Sequence, residues 1–451
     1  MAMQQCCAVD EGIMRTWLLD VLLGCVLVAP VAAEVVPDRD FGVAGVVQVD
    51  VPAAGALSGS SYVLRPSGGA VVALSQQGAD PAVIVQALRD DGSADAAFGP
   101  GGQRVLRGLP GIDSRVRIYA LAQDDASRLV LLIGAGQTCR SMIMRLLPDG
   151  RTDTTFNAGL PLDVPGPACY DSLRRHGEGW LAVRFIESYS TSGSPASFHI
   201  SGEMDLARVT DTGTVDAAFG SQGHLSEVSV SDSPNDLYVL PDGRILVLYS
   251  GGPRVLQVEQ SSWWRAYRAD GRPDAGFGTN GRRDLPAHAA GAAKRVLPLQ
   301  GRAWLAARGR LVAEVDENGA FVRALNVDYP NHTVERAFDY PGNRVLLFTT
   351  FYSGLTTPSQ LEGTYLHLLD ADLQPVRDFG RGGAFEAQFG MRAAQVDAAG
   401  RFVLGSGDVL LRYRYVRGVE PEQPIPALGL PALLLLGAGL LLLAHGRCRV
   451  R

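Results

Sequence analysis

The chain has 451 residues, of which 46% are hydrophobic and 20% are charged, a balance typical of folded proteins and not of disordered ones. Its formal net charge is −6 at neutral pH, so no excess of positive charge favours nucleic acid as a partner. The length exceeds what one small core needs and predicts either several domains or an array of repeats.

The N-terminal residues 1–33 predict a signal peptide. Arg15 precedes an apolar run from Trp17 to Ala33, and the run ends in the small residues that signal peptidase accepts. Asp20 interrupts the run, so a buried core helix is the alternative. Met14 is an alternative start, because the residues before it lack the pattern. We expect the chain that follows to be exported.

One motif recurs through the middle of the chain: Asp, two residues, Phe-Gly, two residues and Gly. Successive phenylalanines of the first five copies are 57, 58, 63 and 58 residues apart, and the next follows after 102, so one copy has decayed. Leu325 stands in the Phe position of that decayed copy, after the turn 316–319. The anchor residues of the motif are Asp38, Phe41, Gly42, Asp95, Phe98, Gly99, Asp153, Phe156, Asp216, Phe219, Gly220, Asp274, Phe277, Gly278, Phe379 and Gly380.

A second marker, a glycine turn followed by an apolar strand, lies between the copies. Clear examples are 69–74, 242–248, 342–348 and 400–404, and three weaker ones bring the number to seven. Units of about 55 residues with four short strands each, repeated seven times, predict an all-β, seven-bladed β-propeller. A linear β-solenoid is the alternative, but these units are long for one solenoid coil.

The anchor residues have structural explanations. A blade cannot bury both of its faces alone, so we expect each Phe to fill the gap between neighbouring blades. We expect each Asp to accept backbone N–H groups at its turn, as short polar side chains do. Several equivalent aspartates argue against catalysis, because one active site would not need them all.

The two ends of the predicted propeller are incomplete in complementary ways. After the last second marker, 400–404, an apolar strand follows but no further Asp-x-x-Phe-Gly motif. The first motif, at Asp38, has no second marker before it. We therefore expect residues near 35–47 to pair with a blade built from about 384–416, which closes the ring and removes two open sheet edges.

The C-terminal residues predict a linker at 419–426, a transmembrane or sorting helix at 427–444 and a basic cytoplasmic tail at 445–451. The propeller is assigned to 34–418. Ile425–Leu428 resembles the Ile-Pro-Thr-Leu type of C-terminal sorting signal of bacterial surface proteins, with Ala in place of Thr. A plain membrane anchor is the alternative.

Two of the six cysteines, Cys139 and Cys169, lie in the part of the chain that we expect to be exported. A disulfide is chemically allowed there, and two unrelated buried thiols are the alternative.

The repeat units resemble the delta-60 repeat of bacterial secreted proteins, whose signature is a strand, an Asp-Gly turn and then Asp-x-x-Phe-Gly-x-x-Gly. Residues 147–156 fit this signature closely, and the resemblance covers roughly 35–416. It implies a repeat β-propeller of the bacterial cell envelope. It implies no particular activity, because proteins with this repeat mostly lack an assigned one.

Motifs for metal, nucleotide or nucleophilic chemistry are missing from the sequence. The seven histidines are dispersed, and the Asp-Gly turns lack the ligand spacing of a calcium loop. We predict no metal, no cofactor and no catalytic residue, although distant residues gathered at a propeller channel stay an open alternative. Trp263–Arg265 and Arg412–Tyr415 either bind sugars or anions by stacking or form strands with one solvated face.

The leading functional hypothesis is a non-enzymatic module of the cell envelope, on the periplasmic face of the inner membrane or at the cell surface, that binds a protein or glycan through its loops. Its C-terminal helix would hold it to the membrane. An extracytoplasmic hydrolase or lyase is the first alternative, and a structural spacer is the second. Carboxylates with His or Arg in the channel would favour the enzyme, whereas an apolar or aromatic face would favour binding.

Overall fold

A computed structural model describes residues 34–416 apart from short gaps at 52–55, 112–114, 137–138, 168, 193–196, 230–231, 252–260, 287–292, 300–301, 354–359 and 388–392. The expected signal peptide, linker, C-terminal helix and basic tail lie outside the described residues. Within the described part, no helix is long and apolar enough to cross a membrane.

Within the described residues, the fold consists of strands with three short 3₁₀ helices. The strands are β1 (Glu34–Pro37), β2 (Val46–Gln48), β3 (Leu57–Leu64), β4 (Ala70–Gln76), β5 (Ala82–Leu88), β6 (Gln103–Leu106), β7 (Val116–Gln123), β8 (Leu129–Ala135), β9 (Arg140–Leu146), β10 (Leu162–Val164), β11 (Ser172–His176), β12 (Gly179–Ser192), β13 (Ser197–Val209), β14 (His224–Ser229), β15 (Asp232–Val239), β16 (Ile245–Gly251), β17 (Ser261–Tyr267), β18 (Arg282–Asp284), β19 (Arg295–Leu299), β20 (Arg302–Val315), β21 (Phe321–Tyr340), β22 (Arg344–Ser353), β23 (Gln360–Leu369), β24 (Ala384–Ala387), β25 (Ala393–Val396), β26 (Arg401–Ser406) and β27 (Val409–Val416). The 3₁₀ helices are η1 (Ala96–Phe98), η2 (Pro100–Gly102) and η3 (Asn157–Gly159).

The strands form a seven-bladed β-propeller, as the repeats predict. Blades 1 to 4 are four-stranded antiparallel sheets made of β3–β6, β7–β10, β11–β14 and β15–β18. Blades 5 and 6 share the six-stranded sheet β19–β24, because β21 serves both. Residues 321–328 of β21 pair with β20 in blade 5, and residues 332–340 pair with β22 in blade 6. Blade 7 contains β25, β26 and β27 together with both N-terminal strands.

The two ends of the described propeller meet in blade 7. Both β1 and β2 pair with β27, and Val46, Val47 and Gln48 lie opposite Leu411, Leu410 and Val409. The expected closure of the ring is thereby confirmed. Its expected boundary is wrong, because β24 pairs with β23 and so completes blade 6. The Phe379-Gly380 motif precedes β24 just as the other motifs precede the last strand of their own blades.

The core is divided into hydrophobic clusters between neighbouring blades, and each cluster holds one anchor residue of the repeat. The side chain of the motif phenylalanine, or of the leucine that replaces it, is at most 4% exposed in every cluster. Leu325 fills the place of a phenylalanine between blades 5 and 6. The others are Phe41 between blades 7 and 1, Phe98 between 1 and 2, Phe156 between 2 and 3, Phe219 between 3 and 4, Phe277 between 4 and 5, and Phe379 between 6 and 7.

The motif turns are held by their aspartates. The Asp153 carboxylate accepts the backbone N–H of Thr155 at 2.9 Å, and Asp38, Asp95, Asp216 and Asp274 accept the N–H two residues on in the same way. Gly220 has a φ of 55°, and a Cβ there would collide with the carbonyl oxygen of His224. The motif therefore combines a side-chain acceptor with backbone that only glycine enters easily.

An arginine on the third strand links some blades to their neighbours. Arg145 of blade 2 donates to Asp153 at 2.7 Å and to Asp211 of blade 3 at 2.6 Å, and its guanidinium lies over Phe156. Arg412 of blade 7 contacts Asp38, Phe41 and Asp90 of blade 1 in the same manner. In the decayed repeat the charges are reversed, because buried Glu314 binds two arginines.

Candidate functional site

The two faces of the ring differ. One face carries the short turns from first to second and from third to fourth strand, such as Asp242-Gly243 and Asp149-Gly150. The opposite face, which we call the hairpin face, is where the innermost strands begin and where the second and third strands are joined. There β12 and β13 have 14 and 13 residues, whereas β8 and β9 have 7 each. The length of the hairpin between second and third strand therefore differs between blades on the hairpin face.

An open cavity of about 810 Å³ lies at this end of the ring, where the first strands of several blades meet. Its wall is formed by residues 57–62 of β3, 117–122 of β7, 171–174 at the start of β11, and 394–395 of β25. Arg336 of β21 and the turn after β26 complete it. Because blades 1, 2, 3, 6 and 7 all contribute, this cavity is the mouth of the central channel.

The charged side chains of the cavity wall are three arginines and one aspartate. They are Arg117, Arg174, Arg336 and Asp171. Arg174 reaches Asp236 of blade 4 at 3.4 Å, and the Arg117 guanidinium lies 5.3 Å from the centre of the Tyr119 ring. Arg336 makes no hydrogen bond or ion pair with any residue that the structure describes. The wall is thus locally positive in a chain whose net charge is −6.

The surrounding protein shifts the pKa of two of these groups. Arg336 is open to the cavity, yet burial by the channel wall lowers its pKa, and the positive charges of Arg174 and Arg295 act in the same direction. Burial raises the pKa of Asp171, although a hydrogen bond with Ser172 and the charge of Arg174 oppose this. Both shifts follow from displaced water, which disfavours a charged group of either sign.

Small polar residues make up much of the remaining wall. Five serines line it, namely Ser58, Ser60, Ser61, Ser172 and Ser406. Ser60 is exposed to the cavity, whereas the hydroxyl groups of Ser58 and Ser61 bond to the backbone of β7. A Cβ at Gly405 would collide with the Tyr62 ring and one at Gly59 would press on the carbonyl oxygen of Ile118, so these glycines let neighbouring strands of the wall pack closely. The wall therefore offers guanidinium, hydroxyl and carboxyl groups around room for a ligand.

Bonds between adjacent innermost strands make the channel wall rigid. The amide group of Gln395 accepts the N–H of Leu64 and donates to the carbonyl of Tyr62, both at 2.7 Å. Asp236 accepts the N–H of Val296 at 3.0 Å, and Arg295 donates to Glu335 at 3.1 Å. Groups held in this way need little reorganisation to receive a ligand.

The anchor residues predicted from the sequence lie between the blades and not in this cavity. The Sγ atoms of Cys139 and Cys169 lie at bonding distance, with Cα atoms 5.1 Å apart. This link ties the end of the β8–β9 hairpin to the segment that leads into Asp171.

Two segments considered for stacking on a ligand are strands with one buried and one solvated face, because Arg265 and Arg414 are exposed while the residues before them are buried. Trp263 is 5% exposed and Trp264 is fully buried. Arg412 is buried against Asp38, and Tyr413 is 8% exposed. These rings and this guanidinium stabilise blades 4 and 7 and are closed to a ligand. The described residues also hold no group of three or more His, Cys, Asp or Glu that could bind a metal.

A second polar cluster lies within blade 6 and is closed to solvent at its centre. The hydroxyl of Thr349 lies 2.9 Å from Nδ1 of His332 and 3.1 Å from Nε2 of His367. The Tyr329 ring packs on His367 with ring centres 4.0 Å apart. Burial lowers the pKa of His367 to about 3, helped by the nearby His332, so His367 is neutral at pH 7.

The sequence patterns did not reveal the cavity residues. Arg117, Arg174 and Arg336 each stand in a strand before a second marker, and our reading of the repeats singled out no residue in those strands. A charged residue inside the first strand of a blade is the signal that could have located them, because these strands line the channel in a propeller.

Similarity to known proteins is found among solved structures. No family model matches the chain, and no curated protein matches it. Solved structures with similarity include BBS1N in complex with ARL6DN, at 11% identity over 84% of this chain and 99% of that chain, with a TM-score of 0.41. A Synechocystis apocarotenoid oxygenase mutant matches at 11% identity over 73% of this chain and 74% of its own, with a TM-score of 0.34.

A Dyadobacter fermentans protein of unknown function matches at 10% identity over 82% of this chain and 98% of that chain, also with a TM-score of 0.34. Similarity at this level assigns neither a ligand nor an activity to the present chain.

Proposed function

We propose that the protein is an exported, envelope-associated binding module of the delta-60 repeat type that takes a protein or glycan ligand at the hairpin face. The observation that carries this proposal is the open cavity of about 810 Å³, to which five blades contribute polar side chains. Ligand sites of proteins are commonly concave and largely pre-formed, with a few convergent polar groups. Export and attachment by the C-terminal segment rest on the sequence patterns described above.

A bulky side chain in the cavity tests this location. The Ser60→Trp variant of the 34–418 domain places an indole at an exposed position of the cavity wall. Ser93→Trp is the matched control, because Ser93 is exposed on a third-to-fourth-strand turn of the other face. We expect binding on arrays of purified bacterial polysaccharides and envelope proteins to be lost in Ser60→Trp and kept in Ser93→Trp. No binding by the unmodified domain, or equal binding by both variants, would contradict the proposal.

A second function, hydrolysis or elimination at the channel, is favoured by one observation. Asp171 is a carboxyl group with a raised pKa beside arginines in a cleft, an arrangement that occurs at catalytic sites. Incubation of bound ligand with the domain distinguishes the two functions. Recovery of intact ligand supports the binding module, and turnover that disappears in Asp171→Asn supports the enzyme.

A further inference from the structure

We propose that the cavity is a binding site for an acidic saccharide, with the arginines holding a sugar carboxylate and the serines and Asp171 holding sugar hydroxyl groups. This inference rests on the proposed function and adds the chemical class of its ligand. Among the described residues, three arginines and one aspartate line the cavity, so this wall is positive whether or not the carboxyl group is ionised.

Arg336 is the centre of the proposed carboxylate site. It has no hydrogen-bond or ion-pair partner within the described residues, and Arg174 and Arg295 are close enough to disfavour its charge. Arg295 is paired with Glu335, and Arg174 has a long contact with Asp236 and a hydrogen bond to the carbonyl oxygen of Leu173. The charge of Glu335 acts on Arg336 without a direct contact, and a carboxylate bound between Arg336 and Arg174 would add direct, charge-assisted hydrogen bonds.

The remaining lining favours a saccharide over inorganic phosphate. Asp171 would repel a doubly charged phosphate more than a singly charged carboxylate. A carboxyl group also accepts hydrogen bonds from hydroxyl groups, which a sugar has in quantity. The exposed Ser60 and the half-buried Ser172 offer further donors and acceptors on the same wall.

The lining also favours a saccharide over an acidic peptide. Five serines and Gln395 place hydrogen-bonding groups along the wall, which suit the hydroxyl groups of a sugar ring. An acidic peptide such as tri-glutamate brings carboxylates but no hydroxyl groups to pair with the serines. Ring hydroxyl groups fit this wall better.

Isothermal titration calorimetry of the 34–418 domain with trigalacturonate tests the proposal. The probes for comparison are its methyl ester, inorganic phosphate and a tri-glutamate peptide. We expect trigalacturonate to bind at least about tenfold more tightly than each of these, because the ester lacks the charge and the others lack the hydroxyl groups. Equal binding of acid and ester, or tighter binding of phosphate or peptide, would overturn the proposal.

Substitution of Arg336 tests whether this arginine binds the carboxylate of the ligand. We expect Arg336→Gln to weaken trigalacturonate binding by about tenfold or more and Arg336→Lys to weaken it less, because lysine keeps the charge. Arg151→Gln is the matched control, since that side chain is 77% exposed on a turn of the other face. Unchanged affinity in a folded Arg336→Gln domain would overturn the assignment. Ligand binding that Ser60→Trp abolishes but Arg336→Gln spares would leave the proposed function standing and remove only this inference.

Discussion

At the scale of single residues, the anchor aspartates share one backbone bond but differ in their other contacts. Asp153 also binds Arg145, and both side chains are at most 3% exposed. Asp274 accepts the N–H of Gly276 and makes no ion pair within the described residues. Equivalent positions of the repeat should therefore contribute unequally to stability.

We predict that Asp153→Ala lowers the free energy of unfolding by about 3 kcal/mol, because it leaves a buried guanidinium short of a partner. Asp274→Ala should cost about 1 kcal/mol, the usual effect of losing a turn or cap bond. Urea unfolding of the two variants measures the difference. Equal losses of unfolding free energy in both variants would show that the ion pair between Arg145 and Asp153 adds no stability beyond that of the turn bond.

His367 gives the domain a predicted sensitivity to acid. Its pKa is about 3 in the folded protein because the site is buried, against about 6.5 in an unfolded chain. A depressed pKa contributes stability above pH 6.5 that is lost as the pH falls toward 3. We expect the free energy of unfolding to drop by about 2 kcal/mol between pH 7 and 4.5 from this residue.

The His367→Gln variant isolates this effect. Glutamine can keep a hydrogen bond to Thr349 but cannot gain a proton in this range. The loss of stability between pH 7 and 4.5 should therefore be smaller in the variant than in the unmodified domain. An identical dependence on pH in both proteins would exclude His367 as the cause.

At the scale of elements, the repeats predicted the blades better than they predicted the cavity. The spacing of Phe and Gly residues reports on the turns and on the gaps between blades, and Leu325 shows that a hydrophobic residue of similar size keeps the gap filled. The cavity depends on side chains such as Arg336 and Asp171, which are distant in sequence and come together only through closure of the ring. A local pattern carries no information about such contacts.

The link between Cys139 and Cys169 joins two elements of blades 2 and 3 near the cavity. It spans 30 residues, and a closed loop of that length removes entropy from the unfolded chain worth about 3.6 kcal/mol. We predict that a reductant lowers the melting temperature of the 34–418 domain. The Cys139→Ala/Cys169→Ala variant should melt at the lower temperature with or without reductant. Equal melting of oxidised and reduced unmodified domain would argue against the bond.

At the scale of the whole molecule, the described chain forms one ring in which each hydrophobic cluster belongs to two blades. The N-terminal strand β2 holds that ring together by adding its hydrogen bonds to β27 and its side chains to the cluster between blades 7 and 1. The cavity takes residues from both of these blades, since Gln395 of blade 7 clamps β3 of blade 1. Closure and ligand binding should therefore fail together.

The most direct test of the closed ring is the thermal unfolding of domains with and without the pairing of β2 with β27. Removal of residues 34–48 should lower the melting temperature of the whole ring, because it exposes a sheet edge and the apolar surface beneath it. Val47→Asp should act in the same way by burying a charge, whereas Val43→Asp is the matched control, since Val47 is 8% exposed and Val43 is 82% exposed. If the truncated domain and Val47→Asp melt at the temperature of the intact domain, the closed ring that holds the cavity is not the structure of this protein.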